Sequence, residues 1–489
     1  MRQQLQKGSS HEWLFKGVEP SGFLALCLRV RICSLTCEPA GEPMSPDLKQ
    51  RLDTDPMGRF QCLAIGICII LNMIDGFDVL VMAFTAASVS AEWRLSGAQV
   101  GLLLSAGLFG MAAGSLFIAP WADRLGRRPL ILLCLALSGV GMLLSALSQS
   151  PLQLALLRGL TGLGIGGILA SSNVIASEYA SKRWRGLAVS LQSTGYALGA
   201  TLGGLLAVWL LGHWGWRSVF LFGGIVTVLV IPLVLLWLPE SLDFLLARRP
   251  ANALARVNRL AARLGQPTLV QLPATAAREQ GAASGFKQLL APAMRRTTLV
   301  IWLLFFLVMF GFYFVMSWTP KLLVAAGLSA EQGITGGVLL SVGGILGAAL
   351  IGGLASRWPL TRVLALFMLI TAVLLVLFVA NGASVSAALV LGLLIGLFSN
   401  GCVAGLYALS PVVYGASVRA TGVGWGIGIG RMGAILSPTV AGVLLDGGWQ
   451  PLHLYGVFAS VFVLAAGCLL LLRSGTRPAP GLASDALSH

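Results

Sequence analysis

The sequence predicts an all-α membrane protein with twelve transmembrane helices in two six-helix bundles. Hydrophobic residues make up 56% of the 489 residues and charged residues only 10%, which excludes a soluble domain of this length. Twelve apolar stretches are each about 20 residues long, the length that crosses the hydrocarbon core of a bilayer. A long polar stretch separates the first six from the last six.

The hydropathy pattern gives the spans and the segments between them. We place the spans at about 61–84, 97–120, 129–148, 152–175, 186–210, 216–238, 298–320, 333–355, 362–380, 384–408, 418–440 and 452–472. The run Leu254 to Leu264 between the halves has a helical pattern, so we expect a short helix there. The expected division is an N-terminal tail (1–59), a first bundle (60–238), a cytoplasmic linker (239–296), a second bundle (297–473) and a C-terminal tail (474–489).

The distribution of Lys and Arg predicts that both termini are cytoplasmic. Of the 28 basic residues from Met44 onward, 23 lie in the tails and in the loops on the same side of the membrane. The net charge of +15 therefore reports topology in a bacterial inner membrane, and we expect no nucleic-acid partner. The other five basic residues lie in the opposite loops or inside spans: Arg94, Arg217, Lys321, Arg158 and Arg431.

Residues 1–43 differ from the rest of the chain, because they show no sustained periodicity. Their apolar run, Gly22 to Val30, is too short to span a membrane and lacks a cleavage pattern. Met44 opens a charged segment that leads into the first span. We expect translation to start near Met44 and a chain that begins there to insert and transport normally. Lost transport at unchanged membrane abundance would contradict this expectation.

The two halves of the chain resemble each other at a nearly fixed offset. The segment 119–124 after span two matches 352–357 after span eight, 233 residues later. Parallel six-helix repeats, with a site near the membrane midplane between them, are the plan of major facilitator transporters. Two further pairs keep an offset of 234 residues between spans five and eleven: Arg185 with Arg419, and Gly199 with Gly433.

Two carboxylates inside span one are the strongest functional signal in the sequence. Asp75 and Asp78 are three residues apart, so they point to the same side of the helix. A carboxylate within a membrane costs several kcal/mol, so such residues usually face a protein-lined cavity and have a function there. We expect these two to couple transport to protons.

Two arginines inside spans complement these carboxylates. Arg158 lies seven residues into span four, roughly 10 Å below the outer surface at about 1.5 Å per residue, a depth comparable to that of Asp75. Arg431 lies in span eleven, in the other half. A buried arginine can bind a substrate carboxylate through two parallel hydrogen bonds. The alternative is a structural Asp75–Arg158 ion pair, with Arg431 packed against helix-end carbonyls.

The loop between spans two and three, Asp123 to Pro129, predicts a conformational switch. Gly126 permits a sharp turn, and Arg124, Arg127 and Arg128 hold the loop on the cytoplasmic side. Asp123 can pair with a basic group of a neighbouring helix in one conformation and lose that pair in the other. A basic loop that only fixes topology is the alternative. In the second copy, Ser356 replaces the aspartate.

Other polar and aromatic side chains are candidates for the cavity wall. Span seven carries an aromatic group that either stacks a substrate or packs against neighbouring helices and lipid: Phe310, Phe312, Tyr313, Phe314 and Trp318. Glycines repeat every fourth residue in span five, from Gly195 to Gly203, and we expect them to let helices approach closely. Candidate substrate contacts in spans five and ten are Gln192, Tyr196, Asn400 and Tyr407.

The chain resembles the aromatic acid:proton symporters of the major facilitator superfamily over about 47–472. The matching pieces are 75–78, 123–128, 158–167, 178–179, 185–186, 239–241, 419–422 and 430–433. Members of that family import benzoate-like acids, and some carry ring-cleavage products such as cis,cis-muconate. One departure is Ser172-Asn173, where many members have Pro-Asn. The resemblance implies functional roles for Asp75, Asp78, Asp123, Arg158, Glu178, Arg419 and Arg431. We also expect Arg185 to belong to the conformational switch, with Glu178 and Arg419.

These observations lead us to expect a monomeric importer of a small organic acid anion by proton symport with alternating access. An exporter of drugs or metabolites would share the fold, and accumulation of an acid distinguishes the importer. A sensor of aromatic acids would be expected to carry a soluble signalling domain, and neither the linker nor the tail is large enough. The spans hold no His–Asp–Ser or metal-ligand grouping, so we expect no enzyme, cofactor or metal.

Overall fold

A computed structural model describes residues 48–250, 252–269, 271–272, 288–380, 385–414 and 418–473. The predictions for residues 1–43 and for most of the C-terminal tail lie outside these residues. Twelve of the described helices are long and apolar enough to cross a membrane. In the first half, a short helix α1 (Leu48–Thr54) precedes six long ones: α2 (Arg59–Trp93), α3 (Gly97–Leu125), α4 (Arg127–Ala146), α5 (Pro151–Tyr179), α6 (Arg185–Trp214) and α7 (Trp216–Trp237).

The second half repeats the six-helix plan after two short linker helices. The linker helices are α8 (Leu242–Arg248) and α9 (Ala253–Arg263), and α9 confirms the helix expected over Leu254 to Leu264. The long helices are α10 (Pro292–Ala325), α11 (Ala330–Ala355), α12 (Leu360–Ala380), α13 (Val385–Val413), α14 (Arg419–Asp446) and α15 (Pro451–Arg473).

Several helices extend beyond the predicted spans. The first continues nine residues past Phe84 to Trp93, and α10 begins at Pro292 instead of 298. Proline suits the first helical turn because its missing N–H would have no partner there. Helix α3 changes winding just before Pro120, with a π turn over Gly114–Ile118 and a 3-10 turn over Ala119–Trp121.

Glycine rows bring helices into backbone contact within each half, as expected. In α6, a Cβ at Gly199 would lie 1.8 Å from the Met73 carbonyl oxygen of α2. In α14, a Cβ at Gly433 would lie 2.4 Å from the Phe306 carbonyl oxygen of α10. Only a residue without a side chain fits such an approach. These contacts place α2 against α6 and α10 against α14, the helices that carry most candidate site residues.

The two halves meet on the side that the charge distribution predicts to be outer. The described hydrogen bonds between the long helices of opposite halves join α3 to α14 and α2 to α10, all through residues in the predicted outer part of these helices. Next to these outer contacts, Tyr313 and Ile435 of the second half pack against Leu108 and Ile165 of the first. The structure is therefore closed on the predicted outer side.

Candidate functional site

A buried ion pair joins α2 and α5 in the first half. Arg158 donates from Nη1 to the Asp78 carboxylate at 2.9 Å and from Nη2 to the Asp78 carbonyl oxygen at 2.6 Å. Ser138 of α4 donates to the second carboxylate oxygen at 3.0 Å. Asp78 is 0% exposed and Arg158 is 2% exposed. The ion pair is therefore made by Asp78 and not by Asp75, which the structural alternative named, because helix crossing brings Asp78, one turn later, to the guanidinium.

The surroundings of Arg158 fix its side chain in this pair. Its guanidinium lies 5.9 Å from the centroid of the Phe220 ring, within range for a cation–π contact. A Cβ at Gly107 would lie 3.3 Å from its Nη2, so α3 closes over the arginine. Arg158 was a predicted substrate contact. In this structure, its guanidinium is held by Asp78 and packed on the other sides.

Asp75 lies on the same side of α2 but has no ion-pair partner in the part of the chain that the structure describes. Its side chain is 2% exposed, and Oδ2 has no hydrogen-bond partner among the described residues. Arg431 of α14, a group of opposite charge, lies within electrostatic range of the Asp75 carboxylate. The two aspartates therefore occupy different environments: Asp78 is neutralised within its own half, and Asp75 faces a cation of the other half.

Arg431 is the centre of a polar group that includes three tyrosines. It lies within electrostatic range of Tyr196 of α6, Tyr313 of α10 and Tyr407 of α13. Tyr407 is 41% exposed although it belongs to a long membrane helix, and Arg431 is half-buried. Among the described residues, no hydrogen bond or ion pair holds the Arg431 guanidinium. We call Asp75, Tyr196, Tyr313, Tyr407 and Arg431 the central cluster.

The other two predicted polar contacts, Asn400 and Gln192, differ in how deeply they are buried. Asn400 of α13 is half-buried and donates from Nδ2 to the Gly344 carbonyl oxygen at 2.7 Å. Gln192 is 0% exposed and donates to Ser172 of α5 at 3.0 Å. Its prediction as a substrate contact does not fit this structure, because the side chain is enclosed between helices of the first half.

Most aromatic residues predicted in span seven pack against other helices. The rings of Phe314 and Phe458 are stacked at 3.7 Å between centroids, and Phe310 stacks on the same Phe458 ring at 5.1 Å. Trp318 is fully buried and donates from Nε1 to the Pro438 carbonyl oxygen at 3.0 Å. Among these aromatics, Tyr313 is the one that belongs to the central cluster.

On the predicted cytoplasmic side, the loop after α3 joins a charged network. Arg127 forms an ion pair with Glu178 at 3.1 Å, and Ser241 donates to the same carboxylate at 2.7 Å. Glu240 accepts from the backbone N–H of Arg127 at 2.8 Å, at the start of α4. The backbone at Gly126 has φ +101°, as the expected sharp turn requires. Glu240 and Ser241 were not predicted as site residues, although both belong to a matching piece.

The remaining predicted switch residues lie on the same predicted side of the membrane. The Asp123 carboxylate is 50% exposed and 4.0 Å from the Arg127 guanidinium. Arg124 is exposed, and Arg128 donates to the Leu235 carbonyl oxygen. Two arginines open equivalent helices and differ in their partners: Arg185 pairs with the Asp53 carboxylate, and Arg419 donates at 3.5 Å to the Tyr414 carbonyl oxygen.

The sequence pattern of the Major Facilitator Superfamily matches residues 65–383, more than half of the chain. The chain belongs to the major facilitator superfamily. It is a multi-pass protein of the cell membrane, in a family of transporters and not of enzymes.

Relatives with described substrates cover most of the chain. A gallate transporter of Pseudomonas putida is 36% identical over 403 residues, which are 82% of this chain and 89% of the relative. The 4-hydroxybenzoate transporter PcaK of the same organism is 31% identical over 83% of this chain and 91% of its own length. A benzoate transport protein of Acinetobacter baylyi is 29% identical over 84% and 89%. The resemblance to transporters of aromatic acids is confirmed.

Solved structures show the same fold. A bacterial homologue of the human lysosomal transporter Spinster, inward-facing and occupied, superposes with a TM-score of 0.69 at 19% identity, over 87% of this chain and 100% of that one. The xylose transporter XylE from E. coli, partially occluded and inward open, gives 0.64 at 18% identity over 85% and 98%.

Proposed function

We propose that this protein imports an aromatic monocarboxylic acid together with a proton, through alternating access of a site between its two halves. The observation that carries the proposal is the placement of Arg431. Its guanidinium has no hydrogen bond or ion pair among the described residues, and it lies within electrostatic range of the buried, unpaired Asp75 of the opposite half. Asp75 is the proton carrier in this proposal, and Arg431 is the anion-binding group.

Electrostatics at the central cluster couples the two ligands. Burial in a membrane protein favours the neutral form of a carboxylate, and a nearby cation favours the ionised form. With Arg431 unoccupied, its charge supports ionised Asp75. A substrate carboxylate on Arg431 neutralises that charge, so Asp75 gains affinity for a proton. Proton and anion therefore bind together, and they leave together on the predicted cytoplasmic side.

The composition of the central cluster favours one class of substrate. Arg158 is already neutralised by Asp78, so the described site offers one cation, which suits a single carboxylate. Three tyrosines and Asn400 supply aromatic faces and neutral hydrogen-bonding groups, which suit a hydroxylated ring. This argument favours benzoate-like acids over the dicarboxylate muconate. The relatives that transport gallate, 4-hydroxybenzoate and benzoate support the same class.

The other predicted residues support the cycle in this proposal. Asp78 and Arg158 hold α2 and α5 together and position Asp75. The charged network on the predicted cytoplasmic side, formed by Arg127, Glu178 and Ser241, changes partners as the halves move. Asp123, Arg185 and Arg419, on the same predicted side, take part in this switch. We propose that a monomer in the lipid bilayer is the functional unit, because one chain supplies both the anion-binding and the proton-binding group.

A panel of uptake measurements tests the proposal. The purified protein in liposomes, with an inward proton gradient, would be offered radiolabelled benzoate, hydroxybenzoates, muconate and a sugar. We expect the aromatic acids to accumulate, the lumen to acidify with their uptake, and both effects to disappear with a protonophore. Uptake that is indifferent to the proton gradient would overturn the coupling. Preferential uptake of muconate or the sugar would overturn the substrate class, and net efflux against a gradient would favour an exporter.

A further inference from the structure

A carboxylate of the second half caps a helix of the first half at the predicted outer face. Asp446, the last residue of α14, accepts hydrogen bonds from the backbone N–H of Gly97 at 2.5 Å and of Ala98 at 2.8 Å. These N–H groups belong to the first turn of α3, where an α-helix provides no internal acceptors. A negative charge at a helix N-terminus is also favoured by the helix dipole. The contact therefore stabilises the junction of the two halves.

The same helix pair is in backbone contact below this cap. A Cβ at Gly442 of α14 would lie 2.2 Å from the Gly97 carbonyl oxygen. A Cβ at Gly101 of α3 would lie 2.4 Å from the Pro438 carbonyl oxygen. One turn deeper, Ser105 donates to the Ile435 carbonyl oxygen at 2.7 Å. The outer parts of α3 and α14 cannot separate without breaking all these contacts, so this junction closes the outer side.

Lys321 of α10 makes a second charged contact between the halves. Its ammonium donates to the Ser90 hydroxyl of α2 at 3.1 Å and lies 5.4 Å from the centroid of the Trp318 ring. It is also within electrostatic range of Asp446. Two opposite charges of the second half thus bind the end of α2 and the start of α3, on either side of one short outer loop.

Helix α3 keeps a second cap that does not depend on the other half. Ser96 accepts from the Gln99 N–H at 3.3 Å, and the Gln99 side chain accepts from the Ser96 N–H at 3.0 Å. This reciprocal capping box remains when Asp446 moves away. The contact of Asp446 with α3 can therefore break without unwinding the helix, which a gate that opens in every cycle requires.

We propose that Asp446 and Lys321 form the outer gate of this transporter, closed in this structure by the start of α3 and the end of α2. The outward-open state requires Asp446 to leave Gly97 and Ala98, and Lys321 to leave Ser90. Neither residue belongs to the central cluster, so the gate controls which side the site faces and not what the site binds. The inference rests on alternating access, not on the identity of the substrate or on protons.

Hydrogen–deuterium exchange of the full chain in lipid nanodiscs, without substrate, tests the gate. The variant Asp446→Asn keeps the size of the side chain but removes its charge. We expect faster exchange at the start of α3 and the end of α14, and slower exchange on the cytoplasmic side, as the population moves toward outward-open. Loss of hydrogen bonds to a charged group implies a shift of about tenfold in the equilibrium between the two states. Lys321→Gln should shift the population in the same direction by less.

The matched control is Glu92→Gln at the same outer face. Glu92 accepts from Trp216 at 2.6 Å and from Arg217 at 2.8 Å, and all three residues belong to the first half. Removing the Glu92 charge should raise hydrogen–deuterium exchange locally and leave exchange on the cytoplasmic side unchanged. If Asp446→Asn changes exchange only at the start of α3, or if Glu92→Gln reproduces the opposite changes on the two sides, the gate is overturned. Because no substrate or proton gradient is present, failure of the proposed symport would leave this result unaffected.

Discussion

The two halves share a six-helix plan but differ in how their charges are paired. In the part of the chain that the structure describes, the ion pairs lie within the first half and the segments that flank it: Arg158 with Asp78, Arg127 with Glu178 and Asp123, Arg185 with Asp53, and Arg217 with Glu92. Among the described residues, Arg431 of the second half has no such pair. The buried charges of Asp78 and Arg158 are therefore compensated within the first half, whereas the second half has a cation available for an anionic ligand.

This difference indicates how a symporter of this shape can couple two ligands. The candidate proton carrier, Asp75, belongs to the first half, and Arg431, a cation within electrostatic range of it, belongs to the second. Their interaction depends on the relative placement of the halves, which is what alternating access changes. A proton carrier with a permanent partner in its own half, such as Asp78, would respond much less to the arrival of an anion.

The largest expected effect is on stability. It tests whether the charge of Asp78 is compensated by Arg158 within the first half. Asp78→Asn leaves the Arg158 charge buried without a partner, which costs about 3–5 kcal/mol when one member of a buried pair is removed. We expect a strongly lowered thermal midpoint in detergent. The double variant Asp78→Asn, Arg158→Met removes the stranded charge and should recover part of the loss. Equal stability of the single variant and the original protein would contradict the structural role of this pair.

The next effect tests whether Arg431 is the available cation. Arg431→Gln removes two charge-assisted hydrogen bonds to a substrate carboxylate, so kcat/KM for uptake should fall about 100-fold at unchanged membrane abundance. The kcat/KM of the Arg431→Lys variant should fall less, since lysine keeps the charge but loses the bidentate geometry. Arg357→Gln, on an exposed loop of the same half, is the control. Retained uptake in Arg431→Gln would mean that the anion binds elsewhere.

A smaller effect separates the two aspartates. Asp75→Asn removes the proposed proton carrier but no ion pair, so the protein should stay folded and still exchange substrate across the membrane. Accumulation of substrate should be lost. In a one-proton symporter, the ratio of internal to external substrate rises about tenfold for each pH unit of gradient. Counterflow of labelled substrate measures the exchange. Full accumulation in Asp75→Asn would assign the proton to another group, and full accumulation in Asp78→Asn as well would refute the mechanism.

The smallest effect compares equivalent loops of the two halves. The Asp123 side chain is half exposed, so its pairing with Arg127 contributes at most about 1 kcal/mol. Asp123→Asn should therefore reduce maximal uptake by about two- to fivefold without changing abundance. Ser356→Ala, the matched change in the second half, should have no effect. If maximal uptake is unchanged in Asp123→Asn, the loop only fixes topology.

The sequence by itself determined the parts of this protein that depend on local chemistry. A bilayer requires long apolar helices, so the number and the approximate positions of the spans follow from hydropathy. The glycine row of α6, the turn at Gly126 and the helix within the linker also depend on neighbouring residues along the chain, and all three were predicted correctly. Asp75, Asp78 and Arg431 could be proposed as functional residues from the sequence because charges inside spans are rare.

Only the tertiary structure decided which of these groups face each other. A spacing of three residues places Asp75 and Asp78 on one side of α2, and depth along separate helices cannot say which of them meets Arg158. That choice depends on the angle at which α2 and α5 cross, and crossing angles depend on close packing of side chains from several helices. The same reason explains why Gln192 and Trp318 are enclosed, and why Asp446, which looks like an ordinary acid at a helix end, caps a helix of the opposite half.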